Sequence, residues 1–372
     1  MLFISNITNR ITNFSLPSIV ASQSLGYEFH LAANCTAFTD TAAEYYVIIH
    51  HIDLVRNPFS IKNIKAYKQM MALVKEEKFD VIHCNTPVGG VIGRLCGKKA
   101  KVPKVIYTAH GFHFYKGAPL INRTLFKYAE MWMAHYTDAE ITLNQEDFQA
   151  AQNLKLRKGG KVYYIPGVGV DTSIIKNATG KRKEILEDIG ADNHSILIIS
   201  IGELNKNKNN EIVIKALGEL QNPDIHYLVC GVGHKKEELH SMAKDYHLEG
   251  NVHFLGYRTD VPQLLKSCDI FVLPSYREGL SRSIMEAMAA GLPCVVSNIR
   301  GNIDLIKEGE GGYLCQADDV DGFAEAIFKL IVSVEIRERM RKYNLEAVKK
   351  FDVENIKSIM RYIYQEVSGQ AP

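Results

Sequence analysis

Ile270-Phe271-Val272-Leu273-Pro274-Ser275-Tyr276-Arg277-Glu278-Gly279-Leu280-Ser281-Arg282-Ser283-Ile284-Met285-Glu286-Ala287-Met288-Ala289-Ala290-Gly291-Leu292-Pro293-Cys294-Val295-Val296-Ser297 carries one full unit of the fold. The apolar run Ile270–Leu273 reads as a strand, a loop with Glu278 and Gly279 follows, a helix opens around Arg282, and Cys294–Ser297 reads as the next strand. Strand, loop, helix and strand in that order make the repeating unit of a parallel sheet. Free backbone N–H groups at the helix start would attract an anion such as a diphosphate, and Gly279 would let a ligand approach the main chain closely. Glu278 in the loop and Glu286 about one turn into the helix are two carboxylates suited to accept hydrogen bonds from sugar and ribose hydroxyls. A blander alternative exists for each: Ser283-x-x-Glu286 fits a capping box, and an isolated loop glutamate is ordinarily a solvated charge.

The same alternation extends in both directions, with short β-branched runs about every 25–40 residues separated by helical spacing. It predicts strands at Leu2–Ser5, Glu28–Ala33, Tyr46–Ile49, Asp80–Cys84, Lys104–Ala109, Glu140–Leu143 and Val162–Ile165. A second series follows at Ile196–Ile201, His226–Cys230, Val252–Leu255, Ile270–Leu273, Cys294–Ser297 and Tyr313–Cys315. Between the series lie Pro166-Gly167-Val168-Gly169-Val170-Asp171 and the polar stretch Lys176–Glu184, a connector by composition. Domains of residues 1–175 and 176–351 are therefore expected. From Asp352 onward, Ile356, Ile359, Met360, Ile363 and Tyr364 recur at helical spacing, so a closing amphipathic helix over about 352–372 is expected to pack back on the first domain. The implied class is α/β: two Rossmann-like doubly wound domains facing a central cleft, with ligands at the carboxyl ends of the strands.

At 372 residues the chain is long enough for two such cores. With 46% hydrophobic and 23% charged residues and 27 glycines it does not read as disordered, fibrous or membrane-spanning. No run approaches the ~18 apolar residues of a spanning helix. Leu2-Phe3-Ile4 is not preceded by a basic segment, so a cytoplasmic protein is expected. Seven cysteines (Cys35, Cys84, Cys96, Cys230, Cys268, Cys294 and Cys315) show no C-x-x-C pair, which suggests reduced thiols. Residues 1–178 hold 20 basic against 13 acidic side chains, and residues 179–372 hold 24 against 29. The basic half suits an anionic membrane surface or a phosphorylated acceptor, with plain solvated charge as the alternative. No nucleic-acid partner is expected.

Three stretches together resemble one known family. The Glu278-x7-Glu286 spacing is similar to the signature of the retaining family-4 (group 1) glycosyltransferases of GT-B fold, which include glycogen and sucrose synthases and bacterial surface-polysaccharide enzymes. Tyr107-Thr108-Ala109-His110-Gly111-Phe112-His113-Phe114 resembles the histidine-bearing loop of the capsule and exopolysaccharide branch. Ile165-Pro166-Gly167-Val168-Gly169-Val170-Asp171 resembles that family's domain-end motif, so the likeness runs along almost the whole chain.

The resemblance implies that Glu278 contacts the transferred sugar and Glu286 the ribose, with backbone amides of Gly279, Leu280 and Ser281 meeting sugar hydroxyls or phosphate oxygens. Ser200–Asn209 looks like the family's Gly-Arg-Leu-x-x-x-Lys phosphate loop, which puts Lys208 on the leaving group, where a cation acts most as the bond breaks. Glu203 stands where that pattern has arginine, so Lys206 or Arg282 would have to compensate. His110 would sit beside the anomeric centre. Tyr257 or Arg258, after Val252–Leu255, could stack on the base, and Gly231-x-Gly233 could allow close nucleotide approach, although a lone G-x-G is a weak motif. Asn6–Ser15 lacks the glycine-rich turn of many relatives and offers Asn6, Thr8, Asn9, Arg10 and Asn13 instead.

No Asp-x-Asp follows a suitable strand, and neither metal nor other cofactor is expected. By resemblance, a UDP-sugar would be the donor, a saccharide or polyprenyl-diphosphate-linked saccharide the acceptor, and the anomeric configuration would be retained. The enzyme would work in the cytoplasm or peripherally at the inner face of the cell membrane. A nucleotide-sugar 2-epimerase of the same fold and a non-catalytic donor-binding partner subunit are the rival readings.

Overall fold

The computed structural model describes residues 1–36, 38 and 42–369. Two compact units emerge, one of Met1–Gly169 with Val353–Pro372 and the other of Val170–Asp352.

The first unit is built on β1 (Leu2–Ile7), β2 (Phe29–Asn34), β3 (Val47–His51), β4 (Val81–Asn85), β5 (Lys104–Ala109), β6 (Ala139–Thr142) and β7 (Lys161–Tyr164). They lie in the order β3-β2-β1-β4-β5-β6-β7, and their pairings are parallel. The second holds β8 (Ile196–Ile201), β9 (Ile225–Cys230), β10 (Val252–Gly256), β11 (Ile270–Leu273), β12 (Cys294–Ser297) and β13 (Gly312–Cys315). Their order is β10-β9-β8-β11-β12-β13, again with parallel pairings. These are the strands expected from the sequence, with ends differing by no more than two residues. Helices cover both faces of a parallel sheet, so its central strands read as continuous apolar runs. β4 and β9 are accordingly buried at every position.

In each sheet the winding reverses once, between β1 and β4 and between β8 and β11. The loops leaving those strands splay to opposite sides and open a crevice at the sheet's carboxyl edge. That topology makes Asn6, Asn85 and Thr86 neighbours in the first unit, and the loops after Ile201 and Leu273 neighbours in the second.

The helix Val353–Ser368 buries Ile356, Met360, Ile363 and Tyr364 against Met1, Ala21, Val81 and Ile106. The chain thus returns to the first unit to complete its core. The helix Pro87–Lys99 lies so close to β5 that a Cβ on Gly90 would stand 2.4 Å from Tyr107 Cε2. No disulfide links the cysteines, and all except Cys35 are buried.

Candidate active site

In the second unit, Lys208 and Glu278 come from the two loops flanking the β8/β11 reversal and form an ion pair, Nζ to Oε1 2.6 Å, largely shielded from water. The loops are tied by backbone as well. Tyr276 N donates to Asn207 O at 2.8 Å, and Asn207 Nδ2 donates to Arg277 O at 2.9 Å. Asn209 adopts a left-handed conformation, φ +53°, and its Nδ2 donates to Pro274 O and Ala317 O. This turn aims Lys208 across the crevice at Glu278.

The helix Arg282–Ala290 begins after Ser281, the N-cap residue, yet the Ser281 side chain makes no capping bond to its first N–H groups. Ser281 Oγ pairs instead with Ser283 Oγ at 3.1 Å. The capping-box alternative therefore does not form: Glu286 Oε1 accepts from Arg282 Nε at 2.9 Å. Burial pushes the Glu286 carboxyl above its ordinary range, while the Arg282 guanidinium opposes that shift. One oxygen is held, and Oε2 has no hydrogen-bond partner among the described residues. An uncapped helix start beside an oriented carboxylate can bind a phosphate and a neighbouring diol together.

Gly231 admits main chain rather than an obvious ligand, since a Cβ there would lie 1.8 Å from Gly202 O. Gly279 and Leu280 pack beneath Gly301, whose added Cβ would meet Gly279 O at 2.2 Å. Tyr257 and Arg258 follow β10, the edge strand two positions from the reversal. Tyr257 is exposed, and Arg258 makes a bidentate pair with Asp260 at 2.8 and 2.6 Å. Glu203 and Lys206 are exposed, and Arg282, the other candidate to offset Glu203, is engaged by Glu286.

In the first unit His110 follows β5. Its Nε2 lies 3.1 Å from Asn85 Oδ1, and its ring stacks on Phe14 with centroids 4.6 Å apart. An amide oxygen only accepts, so Nε2 carries the proton and Nδ1 is left as the acceptor. Asn85 Nδ2, in contrast, is buried with no partner among the described residues. The same small crevice is lined by His83, Thr108, Gly167 and Met360.

Sequence reasoning assigned no role to Asn6, Asn85 or Thr86. Thr86 sits at φ +64°, ψ 152°, a strained conformation for a β-branched residue. It is held there by its hydroxyl, which donates to Asn6 Oδ1 at 2.8 Å, the oxygen that also accepts from Gly89 N at 2.9 Å. Positive φ at a threonine leaves no signal in a single sequence; the available clue was the polar end of each central strand.

Burial lowers His110 to about 4 and His83, also facing His110, to about 3. Both are neutral in the fold and protonate more readily in the unfolded chain. Their stabilising contribution is thus complete above about pH 6.5 and is lost as pH falls towards 4 and below. The histidine contribution to the urea midpoint should therefore fall from pH 7.5 through 5.5 to 4.5. The midpoint difference between wild type and His110→Gln should change over those three pH values, and a constant difference would remove His110 from the account.

Among the described residues, no group of three His, Cys, Asp or Glu side chains is placed to hold a metal ion, and no helix is long and apolar enough to cross a membrane.

Two doubly wound units, with a lysine–glutamate pair at one reversal and a half-buried histidine held by Asn85 beside the other, define the frame of a GT-B glycosyltransferase. Residues 3–144 match the glycosyl transferase 4-like family and residues 181–347 the glycosyl transferases group 1 family. This chain belongs to the group 1 glycosyltransferases. EpsD of Bacillus subtilis strain 168, named as a glycosyltransferase, is 32% identical over 98% of this chain and 96% of its own length. The Escherichia coli UDP-Gal:alpha-D-GlcNAc-diphosphoundecaprenol alpha-1,3-galactosyltransferase is 32% identical over 74% of this chain and 73% of its own. Among solved structures, Anabaena HepE in complex with UDP-glucose superposes with a TM-score of 0.81 at 20% identity, covering 98% of this chain and 99% of that one. That likeness establishes the fold.

Proposed function

We propose that this glycosyltransferase moves a sugar from a UDP-sugar to a polyprenyl-diphosphate-linked saccharide, with retention of configuration and without a metal ion, in bacterial surface-polysaccharide synthesis. The observation that carries the reading is the Lys208–Glu278 pair at the β8/β11 reversal, beside the uncapped start of the helix that bears Glu286. Lys208 neutralises the departing diphosphate, and the N–H groups at the helix start share that load. Glu278 receives hydroxyls of the transferred sugar, and Glu286 offers Oε2 to the ribose. In the first unit His110, held by Asn85, orients the acceptor. Glu278 is occupied by Lys208, which leaves it poorly placed as a nucleophile; the acceptor oxygen bonds to the anomeric carbon on the face from which the nucleoside diphosphate departs, and the leaving phosphate oxygen takes the acceptor proton. The lipid-linked acceptor is supported by the name of the E. coli relative. Work at the inner membrane face follows from such an acceptor. The epimerase and partner-subunit rivals gain nothing from relatives named for glycosyl transfer.

The test is a panel of UDP- and GDP-sugars read by thermal shift and by slow hydrolysis, with and without EDTA. One UDP-sugar should raise the melting temperature and be hydrolysed equally in both conditions. Stabilisation by GDP-sugars alone would refute the donor, loss of hydrolysis in EDTA the metal independence, and an inverted first product by NMR the stereochemistry.

A further inference from the structure

The first unit has a second concavity that the transfer chemistry does not use. It measures about 470 Å³ and is walled by Val88, Val91, Phe112, Phe114, Phe126 and Met133, with Tyr107 and Glu130 deeper in. Arg56 and Phe59 form its exposed rim, Phe59 being 71% exposed. Phe114 also borders a neighbouring hollow of about 600 Å³ lined by Lys116, Arg123 and Lys127. Among the described residues, none of Arg56, Lys116, Arg123 and Lys127 has an acidic partner within ion-pair distance. The segment between the hollows, a π-helical turn Asn122–Phe126 leading into the helix Lys127–Ala134, exposes apolar side chains to water. Leu120 is 76% exposed, and Ile121, Leu125 and Tyr128 are exposed as well.

Apolar walls of this volume ringed by uncompensated cations complement an amphiphile with a hydrocarbon chain and an anionic head. One wall, Gly111–Phe114, continues directly from His110. Successive Cα atoms lie about 3.8 Å apart, so a chain seated here would keep its head group close to that histidine.

We infer that this hollow seats the isoprenoid chain of the acceptor, with Arg56 and the cluster Lys116, Arg123 and Lys127 meeting its phosphates and the saccharide end lying towards His110. The inference rests on the lipid-linked acceptor proposed above and adds where the lipid is held. A flat bilayer would need no such cavity; a single chain does.

Isothermal titration calorimetry reads occupancy directly. Farnesyl diphosphate should give a saturable binding isotherm, whereas inorganic diphosphate at equal concentration should not. Phe59→Asp should weaken farnesyl diphosphate binding roughly tenfold, since it removes an apolar rim contact and sets a carboxylate against an anionic ligand. Arg123→Glu, at an exposed site that folding tolerates, should weaken it severalfold and covers the case in which Phe59→Asp misfolds. Equal responses to inorganic diphosphate, unchanged binding by both variants, or a response only to phosphatidylcholine–phosphatidylglycerol vesicles would each overturn the inference.

Transfer assays separate this inference from the reading beneath it. With a UDP-sugar donor, the two variants should lower the preference, in kcat/KM, for a long-chain over a lipid-free acceptor. If the wild type shows no such preference, the lipid-linked acceptor itself is wrong. If the wild type prefers the lipid and the variants keep that preference, only the chain's seat is wrong.

Discussion

Lys208→Ala is expected to lower kcat by roughly 10²–10³-fold, the range for removing one preorganised charge donor at a developing anion. In the proposed role the ammonium acts on charge that grows as the glycosidic bond breaks, so kcat should fall far more than donor affinity. Glu278→Ala should be damaging for two reasons, since it removes the proposed partner of the sugar and releases Lys208 from its 2.6 Å contact. The double variant should consequently lose much less than the product of the two single losses. Steady-state kinetics with the donor identified by the nucleotide-sugar panel measure all three. A Lys208→Ala enzyme that kept more than about a tenth of its kcat would remove the leaving-group role.

Arg94→Ala is expected to cost roughly 3–5 kcal/mol of stability, the usual price of leaving buried charge uncompensated. Arg94 is 1% exposed and Glu140 is 0% exposed. The guanidinium forks onto Glu130, donates from Nε to Gly90 O at 3.0 Å and lies 3.9 Å from the Tyr107 ring centroid. Glu140 Oε2 stands 4.0 Å from Arg94 Nη1, and neither Glu140 oxygen has a hydrogen-bond partner among the described residues. Burial, reinforced by Glu130 and opposed by Arg94, holds the Glu140 carboxyl well above the usual carboxylate range.

The folded state therefore binds a proton that the unfolded chain releases near its ordinary value. Glu140's contribution is complete below that value and is lost as pH rises from it towards the raised folded value. Glu140→Gln should remove this dependence and leave the protein more stable than the wild type at pH 8. Urea unfolding of both variants at pH 5 and pH 8 checks the sign. An Arg94→Ala cost below about 1 kcal/mol would mean that water reaches the network. The same side chains lie behind the apolar hollow, where Tyr107 and Glu130 contribute to its lining.

The sequence by itself determined whatever depends on neighbours along the chain. Parallel strands buried on both faces become short β-branched runs, so their positions and the α/β class could be read directly. Glu278 and Glu286 share one loop–helix unit, and Lys208 follows its strand by a fixed count, so their places at the strand ends were legible too. The tertiary structure alone decided which of these residues meet. Lys208 and Glu278 are 70 residues apart, and they pair because β8 lies beside β11. That adjacency is a property of strand order, which no local pattern encodes. The return of the last helix to the first unit was expected from the sequence, whereas only packing shows which residues it meets there and that Ser283 and Glu286 do not form a capping box. The strain at Thr86, the raised Glu140 carboxyl and the cation-rimmed hollow likewise arise from elements distant in sequence. Their energies come from burial and desolvation, which exist only once the chain has folded.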